Sequence, residues 1–450
     1  MEDSISNDQI QFQGYLTPEE VSGLASFLEQ NEREYPLAFK GRHEVRNAIT
    51  DRIKYVRKQN KSLCNTITVQ GAPGAGKSSL LHQIEIDAGE LQEQNVIVVT
   101  LESDEMHDAV SVLQGFLKCE GINVEDLWRS FDTRGQGRKD LKHPKLSSGL
   151  DNLLPSFADT VRNNPGMIWE TIRDCLDEGD EPIFLMLVDE SQNIDPTMLN
   201  KNTILTRLHS ARNIADLKII PVFAGLSDTG KCLEKLGITR RSRVDFILSG
   251  FSADEGRQVC VATIQKLGLD KIFTPNQISH IAHQLDLASD GWPRHLHNYL
   301  QALVREVSRS QREKINLDLN TVLDEGHDNR IMYYQTRLQV TGYRQHGKEL
   351  NQIAKDHQSI DDKISYASLS GYFSDKNLND EQIEEIIDAY VHNGILNERL
   401  DGLYEFPIPS LQTFLMCDRD VDKTKEMLYG GLREDIGGAT EIRETAHDAH

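Results

Sequence analysis

The stretch ITVQGAPGAGKSSL, Ile67 to Leu80, sets a run of β-formers directly against three glycines, a lysine and two serines. The residues up to Gln70 predict a strand, and SSLLHQIEIDAG after the lysine predicts a helix ended by glycine. Between them Gly71-Ala72-Pro73-Gly74-Ala75-Gly76-Lys77-Ser78 fits G-x-x-x-x-G-K-[ST] in full. Such a segment reads either as a glycine-rich turn or as a cradle for phosphate. Glycines let successive N–H groups turn inward, and the following helix presents the positive end of its dipole to an anion. In the second reading the loop and Ser79 hold a nucleotide, Lys77 reaches its β- and γ-phosphates, and the Ser78 hydroxyl ligates Mg²⁺.

A cradle alone binds; hydrolysis also needs an acid to hold the metal and a group to orient water. The run Ile183 to Val188 is apolar throughout, as a central parallel strand buried on both faces is, and it ends in Asp189-Glu190. Adjacent carboxylates after a strand read on their own as a solvated loop. Beside a phosphate loop they read as a Walker B pattern, with Asp189 holding Mg²⁺ and Glu190 polarising the attacking water. A further apolar strand, LKIIPVFAG from Leu217 to Gly225, is closed by Leu226-Ser227-Asp228-Thr229. Arg240, Arg241 and Arg243 then cluster ahead of another short strand, and Arg294 opens a helix behind Gly291-Trp292-Pro293.

The order of these parts resembles the AAA+ ATPases, and within them the group containing origin-recognition initiators and transposition regulators. The likeness spans about residues 37 to 310 and is carried mainly by the two Walker motifs. It implies an α/β fold with a three-layer parallel sheet, a helical lid and a winged-helix-like C-terminal domain. It also implies ATP and Mg²⁺ as ligands and ATP hydrolysis as the reaction. On this resemblance Ser227 or Asp228 is sensor 1 and Arg294 is sensor 2. One of Arg240, Arg241 and Arg243 is the finger that reaches a neighbouring subunit, and Gly41-Arg42 is the "GR" element near the adenine. The bland counterpart for the three arginines is a solvated, ion-paired edge, and for Arg294 a helix-start residue bonded to a carboxylate.

The totals bound the rest. At 450 residues the chain exceeds one hydrophobic core. The expected divisions are 1–36 (an N-terminal helical segment), 37–250 (the nucleotide core, with an insertion near 104–180), 251–312 (the lid), 313–420 (a linker helix and winged-helix-like domain) and 421–450 (a loose tail). No apolar run approaches the roughly 20 residues of a membrane span, and the start lacks the regions of a signal peptide, so a cytoplasmic protein is expected. Six cysteines without CxxC or Cys/His pairing predict reduced thiols. A formal charge of −22 argues against an indiscriminate nucleic-acid coat.

Two local basic segments stand against that charge. They are the helix Arg46–Lys61 and the insertion's middle, residues 131–147, and either is a candidate contact for DNA. The helix ahead of the expected wing, NDEQIEEIIDAYVHN, instead carries Asp380, Glu381, Glu384 and Glu385, which phosphate repels. Thr17 with Glu20 three places on has capping-box spacing. The leading expectation is an ATPase that forms an ATP-dependent homo-oligomer and switches a partner protein, with no membrane role. The alternatives are a DNA-binding regulator of initiation or transposition type, and a monomeric nucleotide-held switch with little turnover.

Overall fold

The computed structural model describes residues 9–28, 36–59, 66–91, 95–119, 162–163, 167–174, 176, 181–195, 217–340, 343–358, 362–376, 378–399 and 401–435. They fall into two units, one of Arg42–Leu248 and one of Met1–Gly41 with Ser249–His450. The expected 131–147 contact segment, Lys61, Cys64 and Cys175 lie outside the described residues.

The Arg42–Leu248 unit runs α1 (His43–Gln59), β1 (Thr66–Gly71), α2 (Lys77–Glu90), β2 (Val96–Glu102), α3 (Ala109–Leu117), α4 (Met167–Asp174), β3 (Ile183–Asp189), β4 (Lys218–Gly225), α5 (Thr229–Lys235) and β5 (Arg243–Leu248). The five strands form one parallel sheet in the order β2-β3-β4-β1-β5. Alternating side chains feed its two faces. Val99 and Leu101 of β2 join Phe184, Met186 and Val188 of β3 in a cluster with α3 and α4. There Phe116 stands edge-on to Trp169 at 5.7 Å between ring centroids. Ile183, Leu185 and Leu187, set oppositely along the same strand, are also buried, and α2 packs on β3 and β4. A fully buried Leu, Ile or Phe contributes roughly 1.5–3 kcal/mol, so the continuous apolar run of β3 anchors the sheet and fixes where Asp189 emerges.

Two arginines of the basic helix are spent inside the fold. Arg46 of α1 bonds both oxygens of Asp87 on α2, at 2.6 and 2.8 Å. The Arg57 guanidinium lies 3.5 Å from the carbonyls of Glu181 and Asn95. Lys54 and Lys58 are exposed, so the phosphate-seeking surface on the described part of this helix is narrower than the sequence suggests. Burial pushes the thiols of Cys119 and Cys232 up to about 11, which leaves both protonated and inert at neutral pH.

The second unit is helical. A helix at Pro18–Leu28 packs on α8 (Pro293–Glu313), alongside α6 (Ala253–Lys266), α7 (Pro275–Ser289) and α9 (Leu319–Val340). The capping box at its start forms, with the Thr17 N–H donating to Glu20 Oε2 at 2.8 Å and the Glu20 N–H to Thr17 Oγ1 at 3.2 Å. Beyond α9 come α10 (Tyr343–Asp356), α11 (Tyr366–Gly371), α12 (Asp380–His392), an antiparallel pair Asn397–Glu398 with Tyr404–Glu405, and α13 (Pro409–Met416). Ile364 bridges Tyr404 through two 2.8 Å hydrogen bonds, so an isolated bridge residue, two helices and a hairpin follow one another along the chain. Gly402, with φ 79°, supplies the left-handed residue of the hairpin turn.

The loose tail expected from 421 is corrected over its first half: α14 (Val421–Asp435) is a helix. Asp420 starts it by accepting from Lys423 N at 3.0 Å, Thr424 is fully buried, and Lys425 pairs with Asp324 at 2.6 Å. Leu428 packs against the helical core. A few well-placed contacts hold a segment whose average apolar content is low. Residues 436–450 lie outside the described residues. Among the described residues no helix is long and apolar enough to cross a membrane.

Between α6 and α7 the unit buries a charge. A Cβ on Gly256 would fall 1.9 Å from Asp286 Oδ1, an oxygen with no hydrogen-bond partner, and the nearest cation, Arg257, is 3.8 Å from Oδ2. Burial therefore raises the Asp286 carboxyl to about 7, with Arg257 opposing and Asp254 reinforcing the shift. The folded state binds this proton more tightly than the unfolded chain does. The resulting stability is fully present below the usual carboxylate range and is lost as pH rises through about 7. Thermal unfolding should show Asp286→Asn gaining on the native chain between pH 5 and pH 8; a gap that does not change with pH refutes the assignment.

Candidate functional site

Three neighbouring strands deliver their C-terminal ends to one edge of the sheet. Gln70 of β1 lies beside Gly225 of β4, and Val188 of β3 beside Phe223. With strands about 4.8 Å apart, Asp189 and Gly71 stand roughly 10 Å from each other with the end of β4 between them.

The loop after β1 is shaped by its glycines. Gly74 and Gly76 have φ of 82° and 90°, a region that L side chains rarely adopt. A Cβ on Gly71 would meet the Leu248 carbonyl at 3.1 Å. Gly76 precedes α2, which starts at Lys77 with no side-chain cap. The first N–H groups of a helix lack intrahelical acceptors, so here they open into the loop. Lys77 is 7% exposed, and its ammonium lies across the loop, 2.9 Å from the Gly71 carbonyl and 3.4 Å from that of Ala72. Ser78 is exposed and Ser79 half-buried. Backbone donors, a helix dipole and one ammonium converge there, which is the chemistry that an oligophosphate requires. Arg42, itself left-handed at φ 57°, donates to the Ala75 carbonyl at 3.2 Å and so braces the loop from behind.

At the end of β3, Asp189 is half-buried and Glu190 exposed. Glu190 has a left-handed backbone (φ 48°, ψ 36°), and its N–H donates to Asp189 Oδ1 at 2.8 Å. A non-glycine residue held in this region stores strain, and such residues concentrate at functional sites. Among the described residues no group of three His, Cys, Asp or Glu is placed to hold a metal. Ser78 and Asp189 are the residues that could hold a divalent ion there, together with phosphate and water. This sparse protein set is the kind Mg²⁺ accepts, since it is usually held by one or two carboxylates plus substrate phosphates.

Ser227 and Asp228, both half-buried, follow β4 directly, and Asp228 stands at the N-cap of α5. The three arginines separate sharply. Arg240 and Arg241 are exposed. Arg243 is buried: it bonds Asp245 at 2.8 Å, Glu234 at 3.0 Å, and the Gly230 and Ile238 carbonyls at 3.0 and 3.3 Å. It is a structural residue of its own unit and has no guanidinium to offer a neighbour.

Gly41 and Arg294 belong to the helical unit. Gly41 is left-handed at φ 77°, and a Cβ there would overlap Glu255. Arg294 opens α8 with its guanidinium 5.3 Å from the centre of the Tyr333 ring, inside cation–π range.

Solved structures share this architecture. A Walker-type ATPase of Pyrococcus abyssi superposes with a TM-score of 0.52 at 13% identity, covering 86% of this chain and 99% of that one. The ORC2 protein of Aeropyrum pernix, in ADPNP–ADP complexes, does so with a TM-score of 0.53 at 12% identity, covering 93% and 100%. The fold is that of the AAA+ ATPases of origin-recognition type. At these identities the likeness is one of fold. No family model matches the sequence, and no curated protein does.

Within this AAA+ fold one residue escaped the sequence reading. Gln192, two places past Glu190 and 9% exposed, donates through Nε2 to Glu190 Oε2 and accepts the Leu226 N–H through Oε1 at 3.0 Å. A polar residue just past the Asp-Glu pair gives no periodicity or motif signal. Only the spatial approach of β4 reveals its use. Gly225 makes that approach possible: a Cβ would fall 2.5 Å from Gln192 Oε1 and 2.2 Å from Thr229 Oγ1. Gly225→Ala should therefore lower stability by about 1–3 kcal/mol, read by denaturant unfolding; a neutral result would show that Gln192 and Thr229 move freely.

Proposed function

We propose that this chain binds and hydrolyses ATP with Mg²⁺, assembles through the nucleotide into a homo-oligomer, and thereby switches a partner protein. The observation that carries the reading is the uncapped start of α2 behind Gly76, with buried Lys77 across the loop and Asp189-Glu190 two strands away. The similar Aeropyrum pernix protein was solved with ADPNP and ADP, in keeping with that reading.

The roles follow from position. The N–H groups from Gly74 to Ser79 and the Lys77 ammonium hold phosphate oxygens. Ser78 Oγ and Asp189 hold the metal. When bound, Mg²⁺ neutralises charge on the β- and γ-phosphate oxygens. Glu190 keeps one carboxylate oxygen for water, because the other is engaged by Gln192. Ser227, Asp228 and Arg294 are proposed to sense the nucleotide, and Gly41-Arg42 to flank it. With Arg243 buried, Arg240 or Arg241 supplies charge to a neighbouring subunit's transition state, a contribution of about 10³–10⁵ in rate for related phosphoryl transfers.

Among the described residues DNA binding receives less support. Arg46 and Arg57 are engaged within the unit, and α12 exposes Asp380, Glu381, Glu384, Glu385 and Asp388. Phosphate approaching that face meets only like charge.

Glu190→Gln should still bind Mg·ATP in titration calorimetry while turnover falls about 10²–10⁴-fold. Absence of binding heat in the native protein sinks the whole proposal, and unchanged turnover removes Glu190 from it. Arginine substitutions should divide the cluster. Arg240→Ala or Arg241→Ala lowers turnover of the assembled protein with nucleotide affinity kept. Arg243→Ala instead costs on the order of 3 kcal/mol of stability, because it leaves the largely buried Asp245 carboxylate with the Thr68 hydroxyl but without its cation. Light scattering with a slowly hydrolysed ATP analogue reports the assembly, and a monomer with and without it excludes action in trans.

A further inference from the structure

We infer that Gln192 is a positioning residue for hydrolysis, setting the Glu190 carboxylate and coupling it to the end of β4. The inference rests on the proposed ATPase reading and adds to it the device that orients the water-activating group.

Four observations carry it. The Gln192 amide joins Glu190 at one end and the Leu226 backbone at the other. Its orientation is fixed by chemistry: the Leu226 N–H can only donate, so the carbonyl oxygen must face it, and the NH₂ must face the acceptor carboxylate. The side chain is 9% exposed, so neither bond is readily replaced by water. The backbone leaves space for this crossing only because residue 225 is glycine, whose Cβ would lie 2.5 Å from Gln192 Oε1 and 3.1 Å from Gln192 N. The fully buried Thr229 hydroxyl borders the same spot with no hydrogen-bond partner of its own, so a small movement of β4's end has a second group to engage.

Leu226 precedes Ser227 and Asp228, the residues proposed to sense the nucleotide. Displacement of that segment draws on the Gln192 carbonyl, and the rigid amide passes the displacement to Glu190. The left-handed backbone at Glu190 and the Asp189 Oδ1 bond to its N–H restrict the other ways in which this carboxylate can relax. A general base acts only within hydrogen-bond reach of the proton it takes, so loss of the amide affects the chemical step and not nucleotide capture.

The test uses the full chain and steady-state ATP hydrolysis. Gln192→Met preserves side-chain length and volume but removes both hydrogen bonds. It should lower kcat about 10- to 100-fold with KM within twofold of the native value, and in a Glu190→Gln background it should cause no further loss. Gln192→Glu, which sets a carboxylate against Glu190, should lower kcat at least as far. If the native protein turns over and Glu190→Gln abolishes it, yet Gln192→Met keeps native kcat, the positioning role is overturned. Additive losses in the double variant, or a loss matching only the fraction of unfolded protein by circular dichroism, overturn it equally. A native protein without turnover, or one indifferent to Glu190→Gln, instead defeats the ATPase reading itself.

Discussion

The geometry depends first on how α2 begins. This helix opens behind Gly76 with no side-chain cap, and the leading N–H groups of any helix lack intrahelical acceptors. Gly74 and Gly76 provide the left-handed turns that aim those groups inward, and Lys77 folds across the loop onto the Gly71 and Ala72 carbonyls. The sheet fixes everything else relative to this point. Because β3 is buried along its whole apolar run, it cannot slip without exposing several large side chains. Asp189 is thereby held two strands away from the loop.

Charge placement divides apparently equivalent residues. Arg240, Arg241 and Arg243 lie within four positions, yet only Arg243 points under α5, where two carboxylates and two carbonyls surround it. A guanidinium taken out of water is stable only when such a set compensates its lost hydration. Having that set, it is unavailable for any task outside the unit. The same logic applies to Arg46, whose bidentate bond to Asp87 ties α1 to α2.

Legibility in the sequence followed the range of the interactions. The phosphate loop, the apolar run of β3 and the Thr17 cap depend on neighbours along the chain, and each is readable from spacing. Gln192 acts on Leu226, 34 positions away, and Arg243 on Gly230 and Glu234 across a strand–helix junction, so neither role has a local pattern. The helix at Val421–Asp435 was hidden for a different reason. Among its described side chains Thr424 and Leu428 are packed, and so few residues among many polar ones leave hardly any trace in composition. The buried oxygen of Asp286 is equally silent, since its environment is created by the absence of a side chain at Gly256 on another helix.

The C-terminal arrangement shows why architecture and activity must be argued separately. Two helices and a hairpin follow one another there, and the winged helix expected from the sequence would set α12 where such domains approach a DNA groove. Its surface contradicts that use. The apolar residues Ile383, Ile387, Tyr390 and Val391 are buried, which leaves Asp380, Glu381, Glu384, Glu385 and Asp388 facing solvent. Tyr366 and Tyr404 register this field, both phenols being held above their usual range by burial first, then Tyr366 by Glu384, Asp380 and Asp388, and Tyr404 by Glu398 ahead of Asp388 and Glu384. At short range a row of anions opposes a phosphate backbone more strongly than a few base-edge contacts can favour it. The proposed switching of a protein partner is compatible with this surface, whereas groove reading by α12 would require its charge to be reversed.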